Sequence, residues 1–146
     1  MRFFRGGVLI KVAVVGCGWT GSLLAYLLPQ QGCKVDVFEL ASQPTVVCAC
    51  GIPFDFLHDL AKSVGLSADD YVFWRFGTLT LNLDGKTRTI QNSNLCTFDK
   101  LRFMTDLVKA SEATFKWGTR FQPEDATIYD IVVDATGTRQ VLGKLP

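Results

Sequence analysis

Between Gly16 and Gly21 the chain reads Gly-Cys-Gly-Trp-Thr-Gly, and its neighbours on both sides leave few folds open. Before it stands Val8–Val15, β-branched and apolar except for Lys11. A strand buried on both faces of a parallel sheet has that composition. After it come Leu23, Leu24, Leu27 and Leu28 at helical spacing, then Pro29 and Gly32, which predict a helix end with a distorted last turn. The segment Lys34–Leu40 alternates and is β-branched, a second strand. Strand, helix and strand within about thirty residues make a βαβ unit, whose crossover is right-handed.

The three glycines suit a bound nucleotide. Gly16 permits the tight turn out of the strand, Gly18 lets backbone approach a pyrophosphate, and Gly21 lets the helix pack close on the strand. N–H groups at the helix start, near Trp19 and Thr20, attract the anion together with the positive end of the helix dipole. Glu39, beside Leu40 at the end of the second strand, can accept hydrogen bonds from both hydroxyls of an adenosine ribose. It would repel a 2′-phosphate, which disfavours NADP. An adenine dinucleotide is therefore the expected ligand, although FAD, NAD and S-adenosylmethionine all use such a unit.

Further along, residues 41–56 read as a loop and residues 53–66 as a helix, with Phe54, Leu57, Leu60, Ala61 and Val64 on one side. Asp84-Gly85 between two runs of strand-forming residues predicts a hairpin at about 72–92. A helix follows, with Thr97 or Asp99 as N-cap and a stripe of Leu101, Met104, Leu107 and Val108. Two short strands, at 114–118 and 127–139, are expected to join the sheet beside Val12–Val15. The fold class is α/β: a Rossmann-like FAD/NAD(P)-binding sheet with a small antiparallel hairpin insertion, all of residues 1–146 in one dinucleotide-binding domain.

With a formal net charge of +1, no electrostatic footprint points to nucleic acid or an acidic membrane surface. Lys11 breaks the first apolar run, so a strand explains it better than a signal peptide. No run is long enough for a transmembrane helix. The five cysteines are an odd number, which together with the start of the chain points to a cytoplasmic protein with reduced thiols. Cys48-Ala-Cys50 lacks a second ligand pair, so no metal site is expected.

The spacing Gly16, Gly18, Gly21, Ala25, Gly32, Val35, Glu39 resembles the N-terminal fingerprint of FAD-dependent oxidoreductases of the p-hydroxybenzoate hydroxylase and geranylgeranyl reductase type. Residues 98–107 resemble that superfamily's Arg-bearing helix, with Lys100 where Arg is usual. Tyr129–Arg139 resembles its segment that closes near FAD through Ala135, Thr136 and Gly137. The loop Cys48–Pro53 resembles a Cys-Gly loop of geranylgeranyl reductases. The resemblance spans Val8 to Arg139 and implies FAD as cofactor, with NAD the alternative.

It also implies that much is lacking. Family members continue into a substrate-covering sheet and a late Gly-Asp motif, whereas nine residues follow Gly137 here. The segment between Gly118 and Thr127 leaves little room for the usual β-meander. The expectation is an intact adenosine half and an isoalloxazine half that needs a missing domain, a complementary chain or a homo-oligomer. No catalytic residue can be named, and His58 reads as a surface or core residue. The aromatics of Tyr71–Phe76 are either an exposed patch or a buried hairpin face. A dehydrogenase NAD module and a non-catalytic nucleotide-binding remnant stand as the alternative functions.

Overall fold

The computed structural model describes residues 9–46, 48, 51–140 and 142–144. Val8 and Cys50, named above in the first strand and the Cys-Ala-Cys run, lie outside the described residues. The chain forms two compact units, one from the described residues up to Val46 and from Phe103 onward, the other between them as far as Arg102.

The first unit opens with β1 (Lys11–Val15), α1 (Trp19–Gln30) and β2 (Lys34–Glu39). It closes with the later part of α3 (Lys100–Ala110), then β6 (Thr114–Trp117) and β7 (Ile131–Asp134). All four strands are parallel, in the order β6-β2-β1-β7. One expectation changes here. Of the two late strands only β7 lies beside β1, Val12 opposite Ile131, while β6 pairs with β2, Asp36 opposite Thr114. A strand has two hydrogen-bonding edges, and those of β1 are taken by β2 and β7.

Alternation along the strands divides the core. Val12, Val14, Val35 and Val37 point to one face, where Leu24, Ala25 and Leu28 of α1 and Val108 of α3 pack on them. Ala13, Val15 and Phe38 point to the other, under Phe121, Ala126 and Tyr129. The 3-10 turn Pro123–Ile128 supplies part of this second cover, where the sequence leaves little room for a meander. Phe38 meets the rings of Phe121 and Tyr129 edge-on, at centroid distances of 5.0 and 6.1 Å.

Pro29 lies inside the last turn of α1, and its local cost is met from a distance. A residue with an N–H at position 29 would donate to the carbonyl of Ala25; proline has none. The Ser111 hydroxyl donates to that carbonyl instead, at 2.5 Å, while accepting the N–H of Ala113 at 3.0 Å. The helix then ends as the sequence suggested, with Gly32 and Cys33 N–H groups donating back to Pro29 and Leu28 carbonyls.

In the second unit, β3 (Gly51–Pro53), α2 (Phe54–Ser63), β4 (Val72–Leu83) and β5 (Lys86–Phe98) form an antiparallel sheet, order β3-β5-β4, with a helix. The short strand β3 lies where a loop was expected; its Gly51 pairs with Thr97. The hairpin turns at Asp84-Gly85 as predicted, both residues having positive φ, and β5 runs on past residue 92 to Phe98. Leu57, Ala61 and Val64 of α2 are buried with Tyr71, Cys96 and Phe98. Asp99 caps α3 by accepting the Arg102 N–H at 2.9 Å. The buried stripe of α3 is Phe103, Met104 and Leu107; Leu101, expected in it, is exposed.

Candidate functional site

The glycine loop lies between β1 and α1, and its close contacts explain two of the three glycines. Gly16 has φ +98°, and a Cβ on it would come within 2.8 Å of the Ala135 carbonyl oxygen. A Cβ on Gly21 would stand 1.9 Å from the Gly16 carbonyl oxygen. Neither position accepts a side chain without moving backbone. Gly18 differs: a Cβ there would meet nothing within 4 Å. Packing does not require this glycine, and the space beside it is open.

The start of α1 suits an anion. Gly18 is the N-cap and has no side chain with which to cap, and the first turn carries no acidic residue. The positive end of the helix is thus not neutralised from within the first turn. Trp19, half-buried, leans on Phe103 with ring centroids 5.4 Å apart, and Thr20 is exposed.

Glu39 is part of the same cluster, but it already has backbone partners that the sequence did not disclose. One carboxylate oxygen accepts the Cys17 N–H at 2.7 Å, and the other accepts the Ala41 N–H at 2.9 Å. The Gly16 N–H donates to the Phe38 carbonyl at 2.8 Å, so loop and strand end are tied at two successive points. A carboxylate has about four acceptor positions, and two remain for ribose hydroxyls. Leu40 beside it is exposed. The Cys17 thiol is buried, and burial, aided by the Glu39 charge, pushes its pKa up to about 12. It is a packing group rather than a nucleophile.

The turn after β7 completes the cluster. The Ala135 N–H donates to the Val15 carbonyl at 2.8 Å, setting Ala135 and Thr136 against the glycine loop. Asp134 holds this turn, accepting from the Thr136 N–H at 2.9 Å, the Thr136 hydroxyl at 2.5 Å and the Leu142 N–H at 2.7 Å. Burial would raise its pKa, but these hydrogen bonds outweigh burial and hold the carboxyl below its ordinary range. The sequence reading did not single out Asp134; its place two residues before a Thr-Gly turn was the available signal.

Ten of the eleven residues proposed from sequence therefore belong to the first unit: Gly16, Gly18, Trp19, Thr20, Gly21, Glu39, Leu40, Ala135, Thr136 and Gly137. Lys100 belongs to the second, where its ammonium donates to the Cys48 sulfur at 3.3 Å. His58 is exposed on α2 beside Asp59, at 3.5 Å. Among the described residues no group of three His, Cys, Asp or Glu could hold a metal ion. No helix among them is long and apolar enough to cross a membrane.

Comparison with known proteins agrees with this geometry. The family described as NAD(P)-binding Rossmann-like domain matches residues 14–76. No curated protein matches the chain. Among solved structures, a geranylgeranyl bacteriochlorophyll reductase-like protein from Thermoplasma acidophilum is similar over 76% of this chain, with TM-score 0.58 and 16% identity. The myxobacterial chondrochloren halogenase, described as a variant of FAD-dependent halogenases, is similar over 80%, with TM-score 0.58 and 18% identity. The p-nitrophenol 4-monooxygenase of Pseudomonas putida is similar over 75%, with TM-score 0.54 and 18% identity. The matched part is 31%, 31% and 32% of those chains respectively, so this chain spans about a third of each. The chain has a Rossmann-like fold, which it shares with part of these larger proteins.

Proposed function

We propose that this chain is the FAD-binding portion of a flavin-dependent oxidoreductase. The observation that carries the reading is the joint placement of three elements: the open space at Gly18, the Glu39 carboxylate, and the Ala135-Thr136-Gly137 turn packed on Gly16. The fold shared with a variant of FAD-dependent halogenases and with a probable FAD-dependent monooxygenase from Pseudomonas aeruginosa supports FAD over other dinucleotides. FAD, when bound, supplies the hydride and electron chemistry, and the protein supplies orientation and electrostatics.

Each residue then has a definite task. Gly18 and the start of α1 bind the pyrophosphate, Glu39 accepts from the adenosine ribose, and Asp134 positions the Thr136 turn beside the loop. A second reading, an NAD-binding module, is favoured by the description of the matching family.

Absorption and melting temperature of the purified protein with FAD, NADH or NADPH separate these readings. FAD should give a bound flavin spectrum and raise the melting temperature, NADPH least of all because of Glu39. Stabilisation by NADH without FAD binding would replace the flavin reading with the NAD one. Gly18→Val sharpens the test, since a Cβ at this position meets nothing within 4 Å in the free protein. It should fold, at a cost of about 1 kcal/mol for a poorer N-cap, yet lose FAD; retained binding would overturn the loop assignment.

A further inference from the structure

Trp117 ends β6 opposite Glu39, its register partner at the end of β2. Register partners in a parallel pair point to the same sheet face, and adjacent strands stand about 4.8 Å apart. The indole and the Glu39 carboxylate are therefore neighbours on the face that α1 covers, where Phe115 and Val37 pair two residues earlier. Phe115 stacks on Trp117, with an interplanar angle of 7° and ring centroids 5.2 Å apart. Because Phe115 precedes it, Phe115 covers the indole face turned toward the start of β6. The other face is turned toward the carboxyl ends of the strands, where open α/β sheets bind their ligands.

The backbone beyond the indole is held to the same strand end. The Gly118 N–H donates to the Ala41 carbonyl at 3.1 Å, and the Thr119 N–H to the Glu39 carbonyl at 3.0 Å. Gly118 itself has φ +66°, and a Cβ on it would meet nothing within 4 Å.

We propose that Trp117 is the stacking platform for the purine base of the bound dinucleotide. The inference rests on the reading of Glu39 as the ribose acceptor and deepens it: the nucleoside diphosphate half is recognised by itself, so the site takes ADP as well as FAD. A base is joined directly to its ribose. One whose ribose hydroxyls reach Glu39 therefore lies within about one strand spacing of it, about 4.8 Å, which is the place of Trp117. An indole supplies a broad, rigid π-face for such a base.

A protein segment, of the kind that extends the similar structures beyond the matched third, is the competing occupant of this indole. It would have to bring donors to the two acceptor positions left on Glu39 and an apolar surface to Trp117 together. A purine nucleoside carries both in one small unit.

The test titrates the whole chain with ADP, which has neither flavin nor nicotinamide, reading tryptophan emission and binding heat. ADP should quench the wild type more than Trp117→Phe, which should keep its affinity within about three-fold. Trp117→Leu should weaken ADP and FAD alike, by about ten-fold, the typical effect of one base stacked on an aromatic ring. The phenylalanine variant keeps a ring against Phe115 and serves if the leucine variant does not fold. FAD binding with its flavin spectrum, but equal ADP affinity in wild type and Trp117→Leu, would overturn this proposal and leave the flavin reading standing. So would an affinity loss with no quenching that depends on Trp117, since the indole would then only pack. ADP binding that depends on Trp117, in a chain that takes up no FAD, would support the platform and overturn the flavin reading. Binding of neither would overturn both.

Discussion

Glu39 offers the sharpest test because the proposed function adds a second task, with its own readout, to the one the structure shows. Its carboxylate accepts the Cys17 N–H at 2.7 Å and the Ala41 N–H at 2.9 Å. Cys17 is 1% exposed, so water has little access to replace the first bond. A hydrogen bond to a charged group contributes about 1.5–3 kcal/mol, and the better-exposed Ala41 bond stands at or below the low end of that range. Glu39→Ala should therefore destabilise the protein by about 2–3 kcal/mol. For a chain of this length that is a fall in melting temperature of roughly 6–10 °C. Glu39→Gln keeps one amide oxygen for the Cys17 N–H and should lose only about 1 kcal/mol.

Binding separates the two tasks. Glutamine cannot accept from backbone and from both ribose hydroxyls as a carboxylate can, so FAD affinity should fall by about 1–2 kcal/mol, roughly five- to thirty-fold. The assay is thermal unfolding without ligand, alongside an FAD titration read by flavin fluorescence. A fall of less than about 2 °C in Glu39→Ala would refute the claim that Glu39 ties down the loop. Wild-type FAD affinity in Glu39→Gln would refute its place at the ribose.

Three further outcomes follow from the same structure. Ser111→Ala should cost about 1–3 kcal/mol by leaving the Ala25 carbonyl without a donor, and much less when Pro29→Ala restores a backbone N–H; equal costs in both backgrounds of the double-mutant cycle would show that Ser111 does not compensate for the proline. On the opposite sheet face Tyr129 donates to Asp36 at 2.6 Å and Lys116 lies 3.2 Å from it; against the opposing effect of burial these partners lower the Asp36 pKa and raise that of Lys116. The Asp36 contribution is present above its unfolded pKa of about 4 and is lost as pH falls through the lower folded value, while the Lys116 contribution is present below about pH 10 and is lost as pH rises through its higher one. Urea unfolding of Asp36→Asn should therefore show about 1–2 kcal/mol less stability at pH 7 and a smaller acid-induced loss than wild type; identical pH profiles would exclude the network. At pH 8 iodoacetamide should label exposed Cys48 and spare Cys17, whose thiol is pushed up to about 12; rapid labelling of Cys17 by mass mapping would mean that the loop opens.

The aromatic segment after Tyr71 shows how local pattern and tertiary context part company. Its apolar residues suit a buried hairpin face, yet Phe73 and Trp74 are 68% and 66% exposed, and only Tyr71 is buried. Strand propensity predicts a strand, not what covers it. Likewise β3 could not be foreseen: three residues with a glycine and a proline carry no period, and they become a strand only because residues 95–97 of β5 offer an edge. The α3 stripe was misplaced by a fraction of a turn, Phe103 taking the place given to Leu101.

What the sequence determined by itself is the part written in short-range steric rules. Glycines at 16, 18 and 21 between an apolar strand and a leucine-rich helix, an acidic strand end at 39, and Asp84-Gly85 between strand formers each limit the backbone within a few residues. Those limits hold wherever the segment is placed. Tertiary structure decided the pairings between residues far apart in sequence: Ser111 with the carbonyl that Pro29 leaves without its donor, Glu39 with the Cys17 N–H, Ala135 against Gly16, and β6 on the outer edge of β2. No local period encodes these, because each depends on which donor or edge is vacant once the rest of the sheet is in place.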